Sequence, residues 1–310
     1  IYTRLYTLSL HDALPIFVSP YVSRALAGER GLVVTGSEVV GLIPYAALRE
    51  AGRFYLTRQG RSVGVPVGDV LATAVQSMGL ADVSPFDPAS KVLGLPTHDG
   101  GELVSLTVAG LVDEVSRDTP APGGGSIAAL GGALAAGLAS MVANLTQGRG
   151  AAPEVDAAMV AIADEAQGLK DALLAGVDAD TDAFTAYMDA RRLPNVTPDE
   201  KAARLAAMQD GLKIAIEVPL GTARASLAAM KLADRVAREG LQASVTDGAV
   251  GAQIGFAGVR GGIWNAEVNL RDITDADYVA GVRAECDRLL AEAAALLDAT
   301  ASYVDGRLRG

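Results

Sequence analysis

Between Val155 and Arg191, apolar or small residues return every three or four positions: Val155, Met159, Ile162, Ala166, Leu169, Leu173, Gly176, then Phe184 and Tyr187. That spacing predicts one long helix with a single buried face. Continued at the same interval, the stripe passes through Asp180. Asp171, Asp178 and Asp182 fall off it and read as solvated. A carboxylate on a core-facing stripe is costly unless it is paired, protonated or used. Two readings stand: a structural aspartate bonded to a neighbouring helix, or a catalytic one, since both kinds have shifted pKa values.

The helical period fills the chain from Leu103 onward. Leu103 to Arg117 reads as a short amphipathic helix, and Pro120 to Ser126 as a loop with Ser126 the candidate N-cap of the next helix. That next run, from Ile127 to Gly148, is long and apolar enough to raise a membrane span. It is rich in Ala and Gly, has no aromatic belt and no companion span, so it reads as the central helix of a bundle. Gly131, Gly132 and Gly137 would let neighbours approach it closely. Thr197, Pro198 and Glu200 spell a capping box at a helix start. Pro219 must kink or break that helix, and a further run leads to Gly240. Val245 to Leu270 is helical again, with Gly251/Gly255 and Gly258/Gly262 as ridges for tight packing, and Thr274 to Asp277 caps a last helix reaching about Val304. Six helices with short loops predict an all-α bundle over residues 103–310.

Upstream the pattern differs. Residues 18–95 read as mixed α/β: Gly31 to Thr35 as a short strand, Pro44 opening a helix, and a second helix that Gly79 ends. One or two visible strands make a partial sheet domain, closed by a turn at residues 84–88. Residues 96–102 read as a linker. Residues 1–17 contain TLSLHDALPI, which resembles a translated sequencing adapter; they are expected to be an assembly artefact, without the pattern of a signal peptide.

Charge reinforces the division. Residues 1–97 hold eight Lys/Arg against seven Asp/Glu, whereas residues 98–310 hold 18 against 30. The overall −11 argues against general nucleic-acid binding. Single Cys286 excludes an internal disulfide and fits a reducing compartment. The two histidines, His11 and His98, lie outside the helical body, leaving it no Ser-His-Asp triad and no histidine metal site. Proton transfer there must use carboxylates, lysines, tyrosines, backbone or water.

Three long stretches are specific: PAPGGGSIAALGGALAAGLASMVANLT, VDADTDAFTAYMDARRLPNVTPDEKAARLAAMQDGLKIAIEVPL and VTDGAVGAQIGFAGVRGGIWNAEVNLRDITD. Together they resemble the formimidoyltetrahydrofolate cyclodeaminases. VVTGSEVVGLIPYAALREAGRFYL and SMGLADVSPFDP resemble the C-terminal end of the glutamate formimidoyltransferases. In that order the two point to the bifunctional formimidoyltransferase-cyclodeaminase family, here lacking its N-terminal part. The resemblance implies a cyclodeaminase-like bundle after a partial, ferredoxin-like transferase subdomain. It also implies closure of 5-formiminotetrahydrofolate to 5,10-methenyltetrahydrofolate with release of ammonia, in histidine breakdown.

The family's catalytic aspartate falls in VDAD and matches Asp180. The transferase's catalytic histidine has no counterpart, because His11 lies in the adapter-like string; residues 18–95 are expected to be structural, without transferase activity. Substrate-binding candidates are Gly124, Gly125 and Ser126 at a helix N-terminus, Arg149, Arg191 and Arg192 for the folate tail, and Asn265 and Asn269 near the glycine ridges. No metal and no cofactor beyond the tetrahydrofolate substrate are expected. The resemblance further implies a cytoplasmic homo-oligomer acting on tetrahydrofolate derivatives, some polyglutamylated, with no nucleic-acid or membrane partner. Two alternatives stay open: a methenyltetrahydrofolate cyclohydrolase, and a non-catalytic helical assembly module.

Overall fold

The computed structural model describes residues 4–5, 27–34, 36–95, 101–149 and 152–309. The chain divides into two compact units, Ile1–His98 and Asp99–Gly310.

In the first unit, β1 (Arg4–Leu5) pairs in parallel with β2 (Glu38–Val39), and β3 (Ile43–Pro44) with β4 (Val92–Leu93). Helices α1 (Tyr45–Arg58), α2 (Val67–Met78) and α3 (Pro88–Lys91) fill the intervals. Leu48, Leu56, Met78 and Leu80 form the buried centre. Gly79 ends α2 in the left-handed conformation at φ 68°, as predicted. The strand expected at residues 31–35 is absent from its described part. Gly31, at φ 67°, closes a turn in which Leu32 N–H donates to Ala27 O at 2.8 Å, so the strands come later. Thr35 itself, the adapter-like string other than β1, His11 and His98 lie outside the described residues. These strands give the unit a mixed α/β character without laying out a full sheet among the described residues.

The second unit is a helical bundle: α4 (Val108–Val115), α5 (Gly124–Thr146), α6 (Pro153–Arg191), α7 (Pro198–Glu239), α8 (Val245–Asn269) and α9 (Ala276–Arg309). Each start follows from local chemistry. Thr197 and Glu200 close the capping box, with Glu200 N–H donating to Thr197 Oγ1 at 3.2 Å and Thr197 N–H to Glu200 Oε2 at 2.8 Å. Such a cap contributes about 1 kcal/mol. Asp275 caps α9 by accepting from Tyr278 N–H at 3.0 Å. Helix α4 is shorter than the expected Leu103–Arg117, because Thr107 caps it and the preceding turn is held elsewhere. There Leu103 and Val104 N–H donate to the Asp178 carboxylate at 2.9 and 3.3 Å. Asp178 is therefore half-buried and bonded, not solvated as its off-stripe position suggested.

Helix α5 lies among α6, α7 and α8. It is the one described helix long and apolar enough to cross a membrane, and most of its surface is buried in the bundle. Glycines make the close packing possible. A Cβ on Gly258 would come within 2.6 Å of Ser226 Oγ, and one on Gly262 within 2.5 Å of Pro219 O. Gly132 is equally tight, against Ser226 and Leu173, whereas Gly137 has open space and plays no such part. Pro219 does not break α7, which runs unbroken through it.

Candidate active site

Helix α5 begins one turn earlier than the sequence suggested. Its N-cap is Gly123, which places Ser126 inside the first turn and not at the cap. The first-turn N–H groups of a helix have no partner within it. Here one of them is satisfied from α6: the backbone N–H of Ser126 donates to the Asp180 carboxylate. The approach is close enough that a Cβ on Gly125 would sit 2.1 Å from Asp180 Oδ1. Gly125 is therefore required by space. Ser126 Oγ lies 3.4 Å from Thr181 Oγ1, a second tie between the two helices.

Two effects compete on Asp180. Burial pushes its carboxyl above the usual aspartate range, and the Ser126 N–H pulls it back, with burial the larger. The result is a carboxylate held in place by a helix N-terminus and made more basic by its surroundings.

Asp180 opens onto a cleft of 270 Å³. Pro120, Ala121 and Gly123 form one edge, in the loop before α5, and Gly124 continues it. From α6 come Asp180, Thr181, Phe184 and Tyr187; from α7, Ala215; from α8, Asn265, Val268 and Asn269. Asn265 Nδ2 donates to Gly261 O at 2.8 Å, and Asn269 Nδ2 to Ala215 O and Asn265 O, both at 3.0 Å. A second recess of 410 Å³, between α6 and α7, is lined by Ala, Gly, Leu and Val with only Glu217 and Thr222 polar. It is larger, but its walls are otherwise apolar and Glu217 is ion-paired with Arg224, so the Asp180 cleft is the candidate site.

The structure thus brings Asp180, Gly124, Gly125, Ser126, Asn265 and Asn269 together. The arginines fare differently. Arg191 stacks its guanidinium 6.0 Å from the ring centre of Tyr187, which lines the cleft. Arg192 is exposed and paired with Asp189 at 2.8 Å. Arg149 lies past the C-terminal end of α5, roughly 35 Å along the axis from Gly124, so within one protomer it stands away from this cleft. The apolar neighbours expected around Asp180 were Gly176, Phe184 and Leu173; of these only Phe184 lines the cleft. Thr181, Ala215 and Val268 carried no signal of their own in the sequence. Tyr187 was visible only as one more apolar position.

The formiminotransferase-cyclodeaminase family model matches residues 107–288. A formiminotransferase domain model matches residues 8–95, a span that starts inside the adapter-like string. The chain is 35% identical over 265 residues to the formimidoyltransferase-cyclodeaminase of Gallus gallus, covering 84% of this chain and 49% of that protein. It is 36% identical to the Sus scrofa protein of the same name over 86% of this chain and 50% of that one. The chain thus spans about half the length of these curated relatives. It is also 37% identical to a methenyltetrahydrofolate cyclohydrolase of Methylorubrum extorquens, over 61% of this chain and 91% of that protein. The crystal structure of formiminotetrahydrofolate cyclodeaminase from Thermotoga maritima superposes with a TM-score of 0.60 at 24% identity, over 67% of this chain and all of that one. That likeness shows the shared helical fold.

Proposed function

Because the chain belongs to the formiminotransferase-cyclodeaminase family, we propose that its helical unit closes 5-formiminotetrahydrofolate to 5,10-methenyltetrahydrofolate and releases ammonia. The observation that carries this reading is Asp180: a half-buried carboxylate with a raised pKa, seated on the first turn of α5 at the floor of a cleft.

The chemistry asks for little more. N10 attacks the amidinium carbon carried on N5; the C–N10 bond forms and the C=N electron pair moves to the terminal nitrogen. The proton on N10 then passes to that nitrogen. Ammonia leaves as the N5 lone pair restores a C=N bond, giving the methenyl cation. Asp180 takes the proton from N10 and returns it to the departing amine. A carboxylate whose pKa is raised suits both halves of the shuttle, and before the attack its negative charge stabilises the cationic amidinium. The proposed steps are one addition, one elimination and two proton transfers, which call for no metal and no cofactor beyond the folate substrate.

The proposal extends to partners and place. We propose a cytoplasmic homo-oligomer that takes tetrahydrofolate derivatives, with Arg191, stacked on the cleft residue Tyr187, as a cation for an anionic tail. Every exposed position of α5 is glycine or apolar: Gly124, Ile127, Leu134, Met141 and Leu145. Ile127, Gly131, Leu134, Leu138, Met141 and Leu145 on α5 alternate spacings of four and three. Val250, Ile254, Ala257, Gly261, Trp264 and Val268 on α8 do the same. All twelve are exposed or half-exposed. Two such seams side by side suit a second copy packed as a four-helix layer. The face measures roughly 600 Å² per copy, near the ~800 Å² of a standard interface. Val268 belongs both to this face and to the cleft wall, so a second copy would wall the open side of a site that is small by itself. For the first unit we propose a ferredoxin-like subdomain of the formiminotransferase kind.

The cyclohydrolase relative favours one alternative, hydrolysis of the methenyl compound on the same carboxylate. The full chain and Asp180→Asn, given 5-formiminotetrahydrofolate, separate the readings through methenyl absorbance and ammonia release. We expect wild type to make both products together and Asp180→Asn to lose at least ~100-fold in rate while staying folded. A wild type that ignores the formimino compound but hydrolyses added methenyltetrahydrofolate would establish the alternative. A folded wild type inert to both would leave only an assembly module.

A further inference from the structure

Pro219 lies in the middle of α7 and has no N–H. Four residues earlier, Ala215 therefore lacks the donor that an uninterrupted helix would bring to its carbonyl. The orphan carbonyl lies at the cleft and is satisfied from another helix. Asn269 Nδ2, on α8, donates to Ala215 O at 3.0 Å and also to Asn265 O at 3.0 Å. A carboxamide nitrogen has two hydrogens, so both are used. Turning the amide over would set its oxygen against two carbonyl oxygens, which fixes the orientation. What remains of Asn269 to offer the cleft is Oδ1, an acceptor. Asn265 repeats the pattern in part, since its Nδ2 already donates to Gly261 O at 2.8 Å. Asp180 and Asn269 thus face the cleft with acceptors, while the Thr181 and Tyr187 hydroxyls on its wall can turn to donate or accept.

We propose that Pro219 is a positioning residue. By leaving Ala215 without its helical donor it commits both hydrogens of Asn269, and so sets the cleft to recognise a ligand edge built of N–H donors. An amidinium or an amino-pyrimidine edge has that character; a carbonyl edge does not. The ligand class rests on the reading of the cleft as a folate-derivative site. The commitment of Asn269 does not, and the two are separable by experiment.

The chain contains four asparagines, at 144, 195, 265 and 269, so labelling with 15N-asparagine gives four side-chain amide signals, assignable by substitution. In the full chain, the Asn269 amide hydrogens should exchange at least ~10-fold more slowly than those of exposed Asn195. Pro219→Ala supplies a helical N–H to Ala215 and should abolish that protection. It should also weaken tetrahydrofolate binding about fivefold, read as Kd, with kcat less affected than KM. Asn269→Asp alone sets a carboxylate against the unpartnered carbonyl and should weaken binding more. In the Pro219→Ala background the same change should cost at least ~5-fold less, because the carbonyl is already satisfied and both carboxylate oxygens can accept. Unprotected Asn269 in the wild type, or single effects that simply multiply in the double variant, would overturn the proposal. Protection lost in Pro219→Ala, with tetrahydrofolate bound but no methenyl product from any variant, would uphold the positioning and sink the proposed reaction. The same protection with no tetrahydrofolate bound by any variant would overturn the donor-edge ligand and leave only a structural role for Pro219.

Discussion

The residue proposed to carry the chemistry, Asp180, also bears on stability. Burial raises its carboxyl above the ordinary value, so the folded protein holds this proton to higher pH than the unfolded chain does. Between the two pKa values the native state binds more protons, and stability falls as pH rises through that window. Below the unfolded value both states are protonated and the group costs nothing. Asp180→Asn should therefore melt higher than wild type at pH 7, and the difference should vanish near pH 3.5, below the ordinary aspartate value of about 3.9; thermal melts of both proteins across that range check it. An equal difference at every pH would mean that burial does not perturb this group. The residue could be found in the sequence because a charged side chain breaks an apolar period. Its partner could not: Ser126 bonds through its backbone, and a backbone N–H carries no mark in the sequence beyond the glycines around it.

At the level of elements, the bundle centre is decided by glycine and serine. Ser226 is fully buried, and its hydroxyl has no hydrogen-bond partner among the described residues. A Cβ on Gly132 would lie 2.3 Å from that hydroxyl and 2.9 Å from Leu173 Cδ2. Gly132→Ala should destabilise by about 1–3 kcal/mol through overpacking. Ser226→Ala should be neutral or stabilising, since it removes an unsatisfied buried group, and it should recover part of the Gly132→Ala loss when combined with it. Urea unfolding of the three variants measures this. A fully additive double variant would show that the two positions do not touch. Helix limits were legible where a local residue caps the helix, by a side chain at Thr197 and Asp275 or by left-handed backbone at Gly79. They were missed where a distant group intervenes: α4, capped by its own Thr107, begins late because Asp178, far along the chain, holds the turn before it. Pro219 belongs to the same group, since α7 runs through it while α8 delivers a donor to Ala215.

For the whole molecule, the proposed assembly rests on the apolar seams of α5 and α8. Leu134 is 51% exposed at the middle of α5, on the face assigned to a second copy. Leu134→Glu should convert a dimer to a monomer in sedimentation analysis, leave the helical content intact, and lower activity by opening the cleft wall that Val268 shares. A wild type already monomeric at micromolar concentration would remove that assignment. A wild type that instead sediments with added lipid vesicles would give the seams to a membrane.

The order of helices, the all-α character of the second unit and the exceptional aspartate were written in periodicity and local capping, because those depend on residues within a turn or two of one another. The cleft was not. Gly124, Asp180, Ala215 and Asn269 are far apart in the chain and meet only because glycine ridges let α5, α7 and α8 approach to backbone contact. The raised pKa, the bonded state of Asp178 and the orientation of the Asn269 amide all follow from that packing. Each depends on which distant group comes to stand beside it, and such proximity has no period to read.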